Sequence, residues 1–537
     1  MSAQFKIKAA DPASVVRLER ELGLPRFIAA TLVARGIDNP AAVHRFLAPS
    51  LERDWLDPYI IPGLSDVADA LEAAVKRGDH ILVFGDFDLD GISATTVLTR
   101  GLRALGAQAT PFIPLRFEEG YALSQAAITR ACSFGPDFIV TVDCGIACKA
   151  EAAAVVEAGL GLAITDHHEP VDLVPEGVPV ADPKCDANCP SSILAGVGVA
   201  LKLVQVLGGR LGQPHLWRDF TDFATLGTVA DLMPMRDENR ALVSDGIARM
   251  NAAPRPCIAA LLATSGAADK PVSATNLSFS VIPRLNAAGR MGDAQLALDL
   301  LMTDDFEEAN RLATKLESVN DQRRAIEAEL SEIAKAQAAE IYHGQRALVV
   351  SGESWHEGVK GIVASRLVNT YGVPSLLFTI DGDEARGSGR SVGQVSLFSA
   401  VESASDLLTR FGGHDAAVGV TLPADKLPEF ERRLCAYMDA LPEGAFHPLV
   451  EIDSCVSLDE LTLDNVAQLD KLAPFGQEHP VPVYLARDVM LANCRAVGAE
   501  KNHFSCSLSD GRATVSGIMF HCSDIESLMR TDSVVNA

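Results

Sequence analysis

The sequence has no surplus of positive charge. Its 46 Lys and Arg face 71 Asp and Glu, a formal net charge of −25, so no polybasic arm or coat brings it to a partner. A local basic groove on an acidic body stays compatible with nucleic acid, and the acid surplus suits a chain that gathers carboxylates around metal ions. A long apolar run is missing too. The most apolar stretch, 193–209, is interrupted by Lys202 and Gln205 and reads as a buried helix rather than a membrane span. The start, MSAQFKIKAADPAS, carries no charged-then-apolar export pattern. The 11 cysteines are scattered and odd in number, which points to reduced thiols in the cytoplasm. Cys144/Cys148 and Cys185/Cys189 have three residues between their members, but Pro and Asn flank the second pair and no His is near it, which argues against structural zinc. No Walker A run is present, against an ATP-driven motor, and Gly196-x-Gly198 lacks the full dinucleotide spacing and sits in a helix-like stretch. No short-period repeat is found.

What is present fits a globular chain of about three or four domains, with 48% hydrophobic and 22% charged residues over 537 positions. Residues 1–64 read as a mostly helical segment punctuated by prolines. From 65 to 255 short β-rich runs alternate with helix-like stretches. The runs are 81–86, 109–115, 138–143, 160–166 and 178–182, a pattern that predicts βαβ units and a mostly parallel sheet, an α/β fold. Residues 256–343 read as a helical connector. Within it 293–343 contains neither Gly nor Pro, and Leu312, Leu316, Val319, Ile326, Leu330 and Ile333 recur at helical spacing, so a long helix is expected over much of the span, with two ordinary packed helices as the alternative. A second α/β segment spans 344–447, and short alternating runs over 448–537 read as a small β domain.

The β-rich runs end in acid. Gly85-Asp86-Phe87-Asp88-Leu89-Asp90-Gly91, Val142-Asp143-Cys144-Gly145, Thr165-Asp166-His167-His168 and Val229-Ala230-Asp231 all read as strand ends, the edge where open α/β sheets bind ligands. Carboxylates gathered this closely repel one another unless cations intervene. Hard oxygens with one or two imidazoles suit Mn²⁺ or Mg²⁺, and so many ligands suit two ions rather than one. Taken singly, each has a plainer reading. The Asp-x-Asp-x-Asp-Gly run resembles a calcium loop without its bidentate Glu, the paired histidines could cap or fill a core, and Asp143 could cap a helix.

Together these stretches resemble the DHH phosphoesterase superfamily, and within it the RecJ family of single-strand-specific 5′→3′ DNA exonucleases. The similarity extends over nearly the whole chain, through PLRFEEGYALS (114–124), LAGVGVALKL (194–203), LGTVADLMPM (226–235), PRLNAAGRMGD (283–293), WHEGVKGIVASRL (355–367), RGSGRS (386–391), FGGHDAAVG (411–419) and PFGQEHPVP (474–482). It implies a DHH catalytic domain, a long connecting helix, a DHH-associated substrate-binding domain and an OB-like domain. It further implies two divalent ions, Mn²⁺ or Mg²⁺, held by Asp86, Asp88, Asp90, Asp143, His167 and Asp231, with Asp90 and Asp143 as bridging candidates. Asp166 and His168 take catalytic roles, His168 beside the scissile phosphate as acid or charge stabiliser. Smaller relatives carry a His where Phe84 stands here, which leaves that role to Asp86.

On the substrate side the resemblance offers Arg116, Arg290, Ser388 and Arg390 for a 5′-terminal phosphate, which needs fork-shaped donors and hydroxyls. Tyr121 is the candidate to stack on a base, and His356 and His414 are candidates for DNA or phosphate contacts. Surface ion pairs for the arginines, a plain turn for 387–389 and core roles for the two histidines are the competing readings. The expected reaction is hydrolysis of the terminal phosphodiester of single-stranded DNA by metal-activated water, releasing 5′-mononucleotides in DNA repair and recombination. Strand selectivity is expected from a narrow entrance between the two α/β domains. Single-strand-binding protein and a helicase are the candidate partners, the chain is expected to be a cytoplasmic monomer, and no membrane is involved. The rivals are a same-fold oligoribonucleotide or cyclic-dinucleotide phosphodiesterase and an inactive replication scaffold. The tail departs from the family: 526–537 shows little strand character, so the last OB strands read as missing or replaced.

Overall fold

A computed structural model of the chain describes residues 4–522, 525–529 and 534–537. The chain divides into two units. One holds Pro49–Phe446 and Pro474–His479, the other Met1–Ala48, His447–Ala473 and Pro480–Ala537.

The larger unit begins with a five-stranded parallel sheet in the order Gln108–Phe112, His80–Phe84, Phe138–Thr141, Gly161–Thr165, Val180–Ala181. Its central strands are mostly apolar and buried beyond their first residues, as a sheet covered on both faces requires. The period of two splits them. Ile81, Val83, Val140 and Ala163 join the core built with Val97, Leu98, Val199 and Val204, while Leu82, Phe84, Ile139 and Ile164 join a second core with Ile128 and Val155. After His80–Phe84 the chain first pairs on one side, through Gln108–Phe112, then on the other, through Phe138–Thr141. Strand order therefore reverses at His80–Phe84, and ligands collect beyond the carboxyl ends at such a point. Asp86, Asp143 and Asp166 follow the ends of His80–Phe84, Phe138–Thr141 and Gly161–Thr165 within two residues.

One expectation fails here. Leu226–Asp231 is not a strand. Thr221–Ala230 is a helix with Asp231 at its C-cap. A fully buried helix is apolar all round and gives no amphipathic period to read.

The segment 293–343 is interrupted once. Ala294–Met302 is a separate helix, and the long helix is Phe306–Ile341, 36 residues, whose N-cap Asp305 accepts from Glu308 N–H at 2.7 Å. Leu312, Ala313 and Leu316 pack into the first core, Leu330, Ala334 and Ala338 into that of the following domain. Between them buried Glu327 accepts from Arg323 and Arg366. The second sheet runs Arg410–His414, Ala417–Pro423, Glu384–Arg390, Ser375–Asp381, Leu348–Glu353, antiparallel except for the last pair. The Gly-rich stretch 384–390 is thus a strand, and 411–419 falls in two strands joined by a turn at 415–416.

In the smaller unit the N-terminal segment is not all helix. Gln4–Ile7 is a strand that pairs in parallel with Leu449–Ile452. Arg35 closes a bidentate ion pair on Asp453, at 2.8 and 2.9 Å. A four-stranded antiparallel sheet follows in the order Thr514–Met519, His503–Ser509, Val489–Val497, Val534–Val535. The tail therefore does contribute a strand, short as it is. No helix among the described residues is long and apolar enough to cross a membrane.

Candidate metal centre and phosphate site

The loop after His80–Phe84 turns at once into the helix Leu89–Ala104. Asp88 is its N-cap and accepts from Asp90 N–H at 2.9 Å and Gly91 N–H at 3.1 Å. Asp90 lies in the first turn, buried, and its carboxylate accepts from Gly196 N–H at 2.7 Å and Val197 N–H at 3.0 Å. Those two amides start the helix Gly196–Arg210, whose positive end favours the charge. Glycine is needed there: a Cβ on Gly196 would lie 2.5 Å from Asp143 Cβ and 2.6 Å from its Oδ1. Gly227 gives the same clearance to Asp90 Oδ1, 2.6 Å from where its Cβ would be. Asp143 itself is held at φ +60°, a conformation a non-glycine residue keeps only when its surroundings fix it.

His167 stands among the acids. Its Nε2 lies 3.1 Å from Asp143 Oδ1, 3.6 Å from Asp231 Oδ2 and 3.7 Å from Asp90 Oδ2. Burial, then the neighbouring His168, push its pKa down to about 3, so it is a neutral donor. Asp166 does a different job. Its carboxylate accepts from Ile146 N–H, His167 N–H and His168 Nδ1, the last at 2.7 Å. Burial opposes the charged form of His168, but the Asp166 hydrogen bond and charge, with Asp231 and Asp90, outweigh it and raise its pKa to about 9. His168 is therefore an oriented imidazolium with Nε2 left to act.

The donor atoms fall into three overlapping groups, each with all its atoms within 4.8 Å of one another: Asp86, Asp88 and Asp143; Asp90, His167 and Asp231; Asp143, His167 and His168. Burial and mutual repulsion raise Asp86, Asp90 and Asp143 well above the usual carboxylate range, and Asp231 to about 7. Asp86 Oδ1 and Asp143 Oδ1 are buried without a hydrogen-bond partner; the approach of His167 to Asp143 is misaligned for one. Unpartnered carboxylate oxygens cost free energy unless a cation meets them. The donor set is oxygen-rich with one or two imidazoles, which fits hard divalent ions. Phe84 is outside this cluster, fully buried against Phe112 at 4.9 Å.

A cationic group faces the acids. Burial lowers the pKa of Arg116, Arg290 and Arg390, and Arg290 is lowered further by the charges of Arg116 and Arg390. Arg290 thus feels the charge of both Arg116 and Arg390, and guanidiniums gathered around it favour an anion. Arg116 also lies over the Phe87 ring at 4.6 Å. Arg390 Nη1 donates to Gly389 O at 2.8 Å and Ser388 Oγ at 3.3 Å. A Cβ on Gly361, in the first turn of the helix Lys360–Tyr371, would lie 2.5 Å from Arg390 Nη2, so this glycine lets the helix start approach the guanidinium. A cavity of about 610 Å³ is lined by Arg116, Phe117, His356, Glu357, Arg386 and Ser388. His356 is in edge contact with Phe117 at 5.6 Å. Tyr121, half exposed, stands edge-on to His168 at 6.3 Å.

His414 is not brought to this group. It pairs with Ala417, which pairs with Arg390, so it lies two strand spacings away, about 9–10 Å, exposed at the sheet edge. Arg386 is a site residue that the motif match does not name. Its signal is local all the same: in the strand Glu384–Arg390, residues 386, 388 and 390 alternate onto one face. Asn286, whose Oδ1 accepts from Leu89 N–H at 3.2 Å, has no such signal, since nothing near it in the chain marks it as a partner of a loop 197 residues earlier.

The DHH family N-terminal domain matches residues 80–228, the DHHA1 domain residues 344–440 and the RecJ OB domain residues 452–537. The single-stranded-DNA-specific exonuclease RecJ of Bacillus subtilis (strain 168) is 34% identical over 97% of this chain, which spans 66% of that protein. RecJ of Dickeya dadantii (strain 3937) is 32% identical over 95% of this chain and 91% of its own length. The crystal structure of RecJ in complex with Mn²⁺ from Thermus thermophilus superposes with a TM-score of 0.84 at 30% identity, over 97% of this chain and 74% of that one. With the DHH, DHHA1 and RecJ OB domains in that order, and with similarity across most of both chains in the D. dadantii match, the chain belongs to the RecJ family.

Proposed function

We propose that this chain is a metal-dependent exonuclease specific for single-stranded DNA, acting from the 5′ end and releasing 5′-mononucleotides. The observation that carries the reading is the pairing, in one unit, of a carboxylate cluster whose Asp86 and Asp143 oxygens are buried without a hydrogen-bond partner with the guanidiniums of Arg116, Arg290 and Arg390. One attracts cations and the other a phosphate. Asp86, Asp88 and Asp143 would hold one divalent ion, and Asp90, His167 and Asp231 a second, Mn²⁺ or Mg²⁺, with Asp143 near enough to both groups to serve each. Bound there, such ions lower the pKa of water and neutralise charge on phosphoryl oxygens.

The chain's own residues do the rest. Asp166 fixes the ring of His168 and keeps it protonated, so His168 Nε2–H can give charge or a proton to a phosphate oxygen. Arg116, Arg290 and Arg390, with the Ser388 hydroxyl, bind the terminal 5′ phosphate and set which phosphodiester meets the acids. Tyr121 offers a ring to the adjacent base. The cavity of about 610 Å³ beside Arg116 and Ser388 has room for a nucleotide.

The test uses Mn²⁺ with single strands bearing a 5′ phosphate or a blocked 5′ end, beside Asp143→Ala. The parent should release mononucleotides from the phosphorylated strand alone, and Asp143→Ala should be slower by at least about a hundredfold. Equal digestion by Asp143→Ala would refute the site; indifference to the 5′ block would refute the polarity.

A further inference from the structure

The Asp231 carboxylate differs from the other acids of the cluster. Backbone amides hold Asp90 and Asp88, whereas among the described residues Asp231 makes no side-chain hydrogen bond, so its aim depends on its backbone. That backbone is a loose turn. Asp231 ends the helix Thr221–Ala230, and Leu232 follows at φ +55°, a left-handed conformation that a branched side chain resists. Asp231 N–H still reaches Gly227 O at 2.9 Å, but the bonds after it are long, Leu232 N–H to Val229 O at 3.4 Å and Met233 N–H to Thr228 O at 3.3 Å. A strained turn persists only where its surroundings fix it, and here they come from a segment far downstream in the chain. Gln477 O accepts from Met235 N–H at 2.8 Å, and Gln477 bridges Pro234. Glu478 accepts from Arg236 Nε at 2.9 Å and Pro474 O from Arg240 Nη1 at 3.0 Å. The segment is itself a closed turn, with Gly476 N–H to His479 O at 2.9 Å, His479 N–H to Gly476 O at 3.2 Å, and the rings of Phe475 and His479 stacked at 5.5 Å. Gly476 packs directly on Met235, where an added Cβ would lie 2.9 Å from Met235 Cε and 3.3 Å from its Cβ, so a branched side chain there presses on the turn.

We infer that Pro474–His479 is a positioning element for Asp231: the helix pins the turn on one side, this strap pins it on the other, and the carboxylate between them is aimed by both. The residues act through Asp231 and touch no substrate. The inference rests on the proposed reading of Asp231 as a metal ligand, and the experiment separates the two.

Mn²⁺ binding to the full chain is followed by electron paramagnetic resonance of the free ion and by calorimetry, for the parent, Gly476→Val, Asp231→Asn and the double variant. Gly476→Val should weaken one class of Mn²⁺ site by about tenfold and leave the other class in place, the size usual for losing a group that orients a ligand. The double variant should be no weaker than Asp231→Asn alone, because both changes remove the same carboxylate from its place. Additive losses, or unchanged affinity in Gly476→Val, overturn the inference. Unchanged affinity in Asp231→Asn overturns the ligand assignment beneath it, and the inference with it. Should Gly476→Val fail to fold, Arg240→Met, which frees Pro474 O, takes its place under the same expected pattern and the same overturning results.

Discussion

The acid cluster and the arginine cluster use opposite building methods. The acids are placed by backbone: strand ends, a helix cap, two helix-start amides on Asp90, and glycines whose missing Cβ leaves room for Asp143 and Asp90. The arginines are placed by long side chains with alternatives, as where Arg390 rests on Gly389 O and Ser388 Oγ, or Arg386 pairs with Asp381 at 2.9 Å and Glu384 at 3.1 Å. Ions demand fixed donor distances, whereas a phosphate accepts a fork from several directions. One half of the site should therefore be intolerant of small changes and the other graded in its response.

The sharpest test of that contrast is the smallest substitution. Gly196→Ala adds one methyl group, yet its Cβ would fall 2.5 Å from Asp143 Cβ. Displacing a ligand by about 1 Å should cost on the order of a hundredfold in kcat/KM with Mn²⁺, measured on 5′-phosphorylated single strands; a loss under about threefold would break the comparison. Arg390→Ala removes far more atoms but should cost only about tenfold, seen as raised KM for a 5′-phosphorylated strand and little change for a 5′-hydroxyl strand. An equal loss on both ends would mean that Arg390 does not read the phosphate.

A further test is the response to pH. Burial and Asp88 raise Asp231 from 3.8 to about 7. Protons therefore compete with metal at this ligand, and its share of the apparent Mn²⁺ affinity should rise with pH up to about 7, by at most about tenfold per unit. In the metal-free protein the sign inverts. The folded form binds more protons than the unfolded between pH 3.8 and about 7, so Asp231 makes the fold less stable as pH rises through that window. Metal-free Tm followed across pH should fall there, and added Mn²⁺ should cancel the fall.

Much of the site is legible in the sequence because the relevant signals are local. Apolar runs ending in acid mark buried parallel strands whose tips carry ligands, and Asp86, Asp143 and Asp166 stand where that rule puts them. Asp231 reads as a fourth strand tip because its helix, buried on all sides, shows no period to separate it from a strand. Gly196-x-Gly198 is not a nucleotide fingerprint, but that its first glycine makes room for Asp143 is a contact across about 50 positions of chain, which spacing cannot reveal. The strand Val489–Val497 is hidden because an irregularity between Ala492 and Arg495 breaks its alternation, and Gln4–Ile7 because its partner lies at Leu449–Ile452. His414 is the reverse case: a motif match names the residue, and the strand register places it two strands from Arg390.

The helix Phe306–Ile341 is anchored at one end in the core beneath the acids and at the other in a core of the domain that carries Arg386 and Arg390. At 36 residues it is about 54 Å long, and each residue adds about 1.5 Å and a turn of about 100°. One residue inserted near Glu327 would rotate the arginine strand by about 100° around the helix axis without altering a single side chain of either cluster. The number of residues in this helix is thus a ruler and a protractor for the site, and a change in its length would be felt as a change in chemistry.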